Sequence, residues 1–283
     1  MIHKPVLVHE VIEYLKPKPG MIIVDGTLNG GGHSKAMLEH TQGKVTIIGI
    51  EIDRHIAAHI KKEHIKGLTV ENENYKNMKS VLHKHNIEKV DGVLFDFGLS
   101  SWHLDESGRG FTFRGEEPLD MRFTSEEETT AASLVNSLTE SQLADLFFEY
   151  GDEPRARKVA KAIVSTRKHE RIITTAQLVS IINACIQTRS KIHPATRIFQ
   201  ALRIAVNNEL NNVRAGIQTA MDSVKPHGRV VAISFHSLED RIVKSAFRSR
   251  GTELTKKGLS AGVAEIKNNP RARSARLRAW ENA

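Results

Sequence analysis

The sequence predicts an α/β protein built on a parallel, doubly wound sheet that is interrupted by an inserted helical domain. Three observations predict it. Apolar strand-like runs alternate with helix-like spacers between residues 22 and 96, and the first run ends in an acid followed by a glycine-rich turn. The next comparable strand comes only after more than a hundred residues of helical pattern.

The amino end passes from Met1-Ile2-His3-Lys4-Pro5 straight into Val6-Leu7-Val8, without the pattern of a signal or transit segment. Ile22-Ile23-Val24 reads as a buried strand ending in Asp25, and Gly26-Thr27-Leu28-Asn29-Gly30-Gly31-Gly32-His33 as a tight turn that opens a helix. A second run, Val45-Thr46-Ile47-Ile48-Gly49-Ile50, ends in Glu51. This acid lies about 20 residues past the turn, where nucleotide-binding folds carry a ribose-gripping carboxylate. Leu68 to Val70 supplies a third strand, and Val90-Asp91-Gly92-Val93-Leu94-Phe95, ending in Asp96, a fourth. Helical signals follow: Thr139-x-x-Gln142 fits a capping box, and Ala156, Val159, Ala160, Ile163 and Val164 keep helical spacing, as do Leu178, Ile181, Ile182 and Cys185. Residues 106–198 are therefore expected to form the insert, with 1–105 and 199–283 as the two parts of a discontinuous domain. A helix from Arg197 towards Val224 returns the chain to the sheet, and Arg229 to Phe235 gives the next strand. From Phe247 onward the chain is basic and turn-rich, with Arg248, Arg250, Lys256, Lys257, Arg271, Arg273, Arg276 and Arg278, which reads as a solvated tail or, through Arg271, Arg273 and Arg276, as a further grip on the phosphates of a polyanion.

Charge decides the ligand. Asp25, Glu51, Asp53 and Asp96 fall at or just past the carboxyl ends of strands, where the ligand crevice of such sheets lies. Acids repel the pyrophosphate of a dinucleotide, and neither G-x-G-x-x-G nor G-K-[ST] is present at this turn. They suit S-adenosylmethionine (SAM), which has no phosphate and carries a sulfonium and an ammonium. A formal net charge of +8 points to a polyanionic partner. With 5% aromatic residues, stacking on single strands is not the main grip. The single cysteine, Cys185, excludes an internal disulfide and a Cys-based zinc cluster, and no apolar run reaches membrane-spanning length. A cytoplasmic protein without a membrane partner is expected.

Methyl transfer to carbon 5 of a pyrimidine needs a thiolate, and Cys185 sits at the apolar phase of its helix, as a core thiol does. Direct transfer to an exocyclic amine remains. Its delocalised lone pair calls for hydrogen-bond acceptors against the amine protons, and Asp96 with Ser100 and Ser101 in the following turn are placed to act as catalytic groups. A purely capping role for Asp96 is the alternative. Arg109-Gly110-Phe111 and Asp120-Met121-Arg122 combine arginine with aromatics, suited to phosphate contact and to stacking on an extruded base, or to pinning a loop. Arg203 and Asn207 lie on a polar stripe of the returning helix, and His236 opens a titratable cluster with Glu239 and Asp240. No metal is expected there, because transfer to an amine needs no Lewis acid.

Taken together these segments resemble the family of SAM-dependent methyltransferases that modify the N4 amine of a cytosine in small-subunit ribosomal RNA. The resemblance rests on His3-Lys4-Pro5-Val6-Leu7 with Glu10-Val11, Asp25-Gly26-Thr27 with Gly30-Gly31-Gly32-His33, Asp96-Phe97-Gly98-Leu99-Ser100-Ser101, Arg109 to Phe113 and Pro118 to Arg122. It continues through His193 to Arg197, Phe199 to Arg203, Val206 to Leu210, Ser234 to Arg241 and Asn269 to Ser274. It implies a Rossmann-like domain with an inserted helical recognition domain, and SAM contacts at Gly31, Gly32, His33, Glu51, Tyr75, Asp96 and His103. RNA contacts are expected at Arg109, Phe111, Arg122, Arg203, Asn207 and His236. The implied target is a cytosine in the decoding centre near the P site, met either in small-subunit RNA or in the assembled subunit; a homodimer stays open. Asn29 stands where Gly is usual, Glu51 where Asp is, and His103 where Gln is. Asp96-Phe97-Gly98-Leu99 also differs from the Pro-Pro-aromatic motif of DNA amine methyltransferases. The competing expectation is a ribosome-assembly factor that binds SAM or RNA without turnover.

Overall fold

The computed structural model describes residues 5–186 and 193–283; His3 and Lys4 of the amino-terminal motif lie outside the described residues. The chain divides into two compact units. One comprises the chain up to Ser101 together with Leu210–Ala283, and the other is Trp102–Glu209. The second unit thus takes in the whole helix Ala195–Val206, which a boundary at 199 would cut.

The first unit is built on a sheet of β1 (Ile22–Asp25), β2 (Thr46–Glu51), β3 (Leu68–Asn72), β4 (Val90–Asp96), β5 (Val224–Ser234), β6 (Thr252–Glu253), β7 (Leu259–Ser260) and β8 (Arg276–Glu281). The order is β3-β2-β1-β4-β5-β8-β6, with β7 also on β8. The first five strands of that order run parallel, and β8 is antiparallel to β5. Parallel strands carry helices on both faces, so their runs are apolar throughout rather than alternating. Val24, Ile48, Ile50, Val93, Phe95 and Val230 enter one core, with Val213, Ile217 and Met221 of the helix Glu209–Ser223. Their neighbours Ile23, Ile47, Leu94, Val231 and Ile233 enter the other, with Leu7, Val11 and Met37. The strand order reverses between β1 and β4, and in open α/β sheets the ligand crevice opens at the carboxyl ends of strands at such a switch point.

Two expectations are corrected. The basic carboxyl-terminal stretch is not a solvated tail. Phe247 and Trp280 are fully buried and stacked with centroids 6.2 Å apart, and β8 closes the sheet against β5. Arg278, 3% exposed, pairs in two-pronged fashion with Asp240 and also reaches Glu253, which is how a charge is held in a sheet interior. The returning helix is also not continuous: Ala195–Val206 ends at Asn207, and Asn208 takes φ +49° before Glu209–Ser223 begins.

The second unit is helical, with Ala131–Ser137, Glu140–Gly151, Ala156–Thr166, Thr175–Cys185 and Ala195–Val206 among its described residues. The Thr139/Gln142 capping box forms, with equivalents at Thr130/Ser133 and Thr174/Gln177. Leu143, Phe147, Val159, Ile163, Leu178, Ile182 and Leu202 are fully buried, and Cys185 is buried with them. A Cβ on Gly151 would stand 2.6 Å from the Arg197 carbonyl oxygen, so glycine permits the close approach of two helices there. No helix among the described residues is long and apolar enough to cross a membrane.

Candidate active site

In the first unit three acids gather at the carboxyl ends of adjacent strands: Asp25 on β1, Glu51 on β2 and Asp96 on β4, each at most 4% exposed. Burial pushes each carboxyl above its ordinary range, Glu51 to about 8. The opposing pull is local. Glu51 accepts the backbone N–H of Asp53 and of Asn29, both at 2.8 Å, and Asp25 accepts the Ser34 hydroxyl at 2.7 Å through Oδ2. Asp25 Oδ1 is buried with no partner among the described residues.

The turn between β1 and its helix follows from close packing. A Cβ on Gly26 would lie 2.5 Å from the Phe95 ring, so only glycine lets the turn cross β4. Asn29 sits at φ +48°, a conformation Asn adopts at little cost, and its side chain reaches the carbonyls of Thr27 and Asp96. Gly31, at φ +71°, precedes the helix Gly32–His40. The Pro5 ring occupies the space a Cβ on Gly32 would need, 2.8 Å away. His33 is buried; its Nε2 donates to the Val6 carbonyl at 2.8 Å, and Nδ1 stands 3.7 Å from Asp96 Oδ2. Asp96 Oδ1 accepts the Gly98 N–H at 3.2 Å, and its own N–H donates to the Thr27 hydroxyl.

Ser100 and Ser101 are both buried, and Ser101 accepts a hydrogen bond from Arg271. Tyr75 is half-buried against Phe95 and Phe97, with centroids 5.5 and 5.8 Å away. His236 precedes the helix Ser237–Ser249, with Nε2 2.9 Å from a carboxylate oxygen of Glu239, whose other oxygen accepts the Phe235 N–H. The electrostatic influence of Glu239 reaches Asp96.

Such a set suits a cation carrying hydroxyl donors: an orphaned buried acceptor and two further buried carboxyls gain from positive charge, and a pyrophosphate would be repelled. A model of the MraW methylase family matches residues 1–283. The chain belongs to the MraW methylase family. Its relatives include the "Ribosomal RNA small subunit methyltransferase H" of Dictyoglomus thermophilum, 44% identical over 287 residues, covering 99% of this chain and 96% of that protein. The proteins of the same name from Deinococcus radiodurans and Kosmotoga olearia are each 45% identical, covering 99% of this chain and 90% and 97% of theirs. SAM is the methyl donor of this methylase, and the acids of the crevice fit it.

In the second unit the predicted residues form a connected set of their own. His103 is buried between Phe111 and Phe123, with ring centroids 5.0 and 5.1 Å away, and those two phenylalanines stack on each other at 5.4 Å. Arg109 lies over Trp102 at 4.7 Å and donates to the carbonyls of Arg122 and Phe123. Arg122 makes a two-pronged pair with Asp120, both bonds 2.8 Å, and donates to the Glu127 carbonyl. That guanidinium holds the Asp120 carboxyl below its usual range. Arg203 pairs with Glu209, and Asn207 ties the same loop down by accepting from Phe123 N–H and donating to the Met121 carbonyl. Thr27 and Arg271 stand in the quoted motifs and Ser34 beside one, but the sequence alone gives none of the three a place in the site. Their partners lie 69, 9 and 170 residues away, and no local pattern marks such contacts.

Proposed function

We propose that this methylase transfers a methyl group from SAM to the N4 amine of a cytidine in the decoding centre, near the P site, of small-subunit ribosomal RNA. The small-subunit RNA substrate is carried by the name shared by relatives 41–45% identical over at least 98% of this chain, and the cytosine N4 target by the resemblance of the sequence motifs. Cytoplasmic action on the RNA or on the assembled subunit belongs to the same reading.

SAM supplies an electrophilic methyl group next to a positive charge. Glu51 would hold its ribose hydroxyls, the turn at Gly31, Gly32 and His33 its methionine end, and Tyr75 its adenine. The chain's own part in the chemistry centres on Asp96. A cytosine amine is a weak nucleophile, and a carboxylate accepting its N–H returns electron density to nitrogen and then takes the proton. Asp96 Oδ1 is fixed by the Gly98 N–H, and Oδ2 faces His33, which orients the acceptor. Burial raises the basicity of that carboxylate, which suits proton acceptance. Ser100 and Ser101 offer further acceptors in the same turn. In the second unit Arg109, Arg122, Arg203 and Asn207 would act by positioning: their donors hold the loop 109–123, whose arginines and aromatics are of the kind that meets RNA phosphate and base.

The test is fragment mass spectrometry of the decoding-centre oligonucleotide from cells with and without this protein. Loss of one methyl on cytosine N4 supports the reading, and an unchanged oligonucleotide overturns it.

A further inference from the structure

The second unit sorts its charges by helix. Glu140–Gly151 exposes Glu140, Asp145 and Glu149 and contains no lysine or arginine, whereas Ala156–Thr166 contains no acid and exposes Arg157, Lys158, Lys161 and Ser165. Lys168 and Arg171, both exposed, follow just beyond its end. The other side of this helix is taken up by the core of the unit, where Ala156, Val159, Ala160 and Ile163 are buried. Arg157, Lys158, Lys161, Lys168 and Arg171 have no acidic partner among the described residues. The acids nearest in the chain are engaged elsewhere: Glu153 is buried facing Arg197 and accepts the Arg155 N–H, and Glu170 accepts from Gln177.

This arrangement works against the helix that carries it. The positive end of a helix dipole favours Asp or Glu, yet the first turn here holds Arg157 and Lys158 and no acid, with Arg155 at the cap. Arg157 and Lys161 stand four residues apart and Lys158 and Lys161 three, so like charges are neighbours on one surface. A face kept for solvation alone mixes both signs and places its acids first. A face of one sign set on the wrong end of a dipole is a local conflict that an outside polyanion relieves, because dipole and cations then attract the same charge.

We propose that this face docks on the phosphate backbone of a double-helical segment of small-subunit RNA. The inference rests on the RNA substrate proposed above and adds a contact by residues outside the loop 109–123. Arg157 and Lys161 are separated by about 6 Å along the helix axis, close to the spacing of successive phosphates on a strand, so neighbouring cations can meet neighbouring phosphates. The face has no aromatic side chain on which a base could stack, so it suits a regular backbone rather than an unpaired strand. A lipid surface fits less well, because the apolar side of the helix is buried in protein and has nothing to insert.

Binding of a small-subunit RNA fragment to the intact protein, measured from low to high salt, tests the face. The Arg157→Gln/Lys158→Gln/Lys161→Gln variant should bind roughly tenfold or more weakly at low salt, with the salt slope reduced by about 2 to 3, the increment that three phosphates carry. Lys61→Gln/Lys62→Gln/Lys66→Gln removes the same formal charge from exposed lysines of the first unit and should change the slope by less than about one. Thermal melts separate binding from folding: glutamine favours helices and the cations leave the positive helix end, so the first variant should unfold no earlier than the wild type. An unchanged slope and affinity overturn the proposal. So do equal losses in the two variants, which would make net charge the cause, and an earlier melt of the first, which would show that the helix needs these cations. Loss of binding to vesicles of anionic lipid with RNA binding intact would likewise overturn it, in favour of a membrane. Absent N4 methylation with this binding pattern intact would overturn only the cytidine assignment, whereas a wild type with no affinity for the RNA would overturn both.

Discussion

Glu51 titrates in the range where most binding assays are run, and this makes the crevice testable by pH. In the free protein burial pushes its carboxyl to about 8, against an ordinary 4.5. At pH 6 the group is therefore protonated by about a hundred to one, and at pH 7 by about ten to one. SAM offers ribose hydroxyls as donors and two positive charges, all of which favour the carboxylate, so binding expels a proton. The sign follows: affinity rises with pH, approaching tenfold per unit between about pH 6 and 8, and levels off above. Glu51→Gln removes the titration and sets an amide NH2 against the backbone N–H of either Asn29 or Asp53, both of which now donate to the carboxylate. The loss at pH 8 should be about 10- to 150-fold, the scale of a hydrogen bond to a charged group. Asp25 and Asp96, also raised by burial, leave the variant a shallower residual slope. Calorimetry at pH 6, 7, 8 and 9 in two buffers of different ionisation enthalpy reads both affinity and proton release. If the variant keeps wild-type affinity at pH 8 and the same dependence on pH, Glu51 does not hold the ribose.

The same titration predicts a stability change: the folded state holds the Glu51 proton more tightly than the unfolded chain, so this contribution is complete below about pH 4.5 and is lost as pH rises towards 8. Urea melts at pH 5 and pH 9 should show a smaller alkaline loss for Glu51→Gln than for the wild type. Asp96→Asn should lower the single-turnover methyl-transfer rate far more than SAM affinity; equal losses in both would make Asp96 a binding residue only. Gly26→Ala forces a Cβ to within 2.5 Å of the Phe95 ring, so denaturant unfolding should show about 1–3 kcal/mol lost, and an unchanged midpoint would contradict the packing. Arg122→Ala removes three hydrogen bonds to Asp120 and Glu127, so amide exchange across 109–127 should quicken while the strands of the first unit stay protected.

The parallel strands are legible in the sequence because two buried faces leave nothing but apolar runs, and the acids ending β1, β2 and β4 mark the crevice there as well. β8 is not legible. Arg276-Leu277-Arg278-Ala279-Trp280 alternates as a strand does, with Leu277 and Ala279 in one core and Trp280 in the other, but an arginine at a buried position reads as solvated until its partners Asp240 and Glu253 are known. Likewise Arg109 and Arg122 read equally well as phosphate ligands or loop pins. What decides their partners is a set of backbone carbonyls, at Arg122, Phe123 and Glu127, which a sequence does not display. The break at Asn207-Asn208 is written in two residues that tolerate positive φ, yet the helical stripe runs through them, so periodicity alone joins the two helices.

The central claim is transfer of one methyl group to cytidine N4 with Asp96 at the reacting amine. Small subunits purified from cells lacking this protein, incubated with the purified enzyme and methyl-labelled SAM and then digested for nucleoside mass spectrometry, test it most directly. The account predicts labelled N4-methylcytidine, approaching one per subunit with the wild type and absent with Asp96→Asn. Label on any other nucleoside or ring position, or N4-methylcytidine formed as fast by the variant, contradicts it.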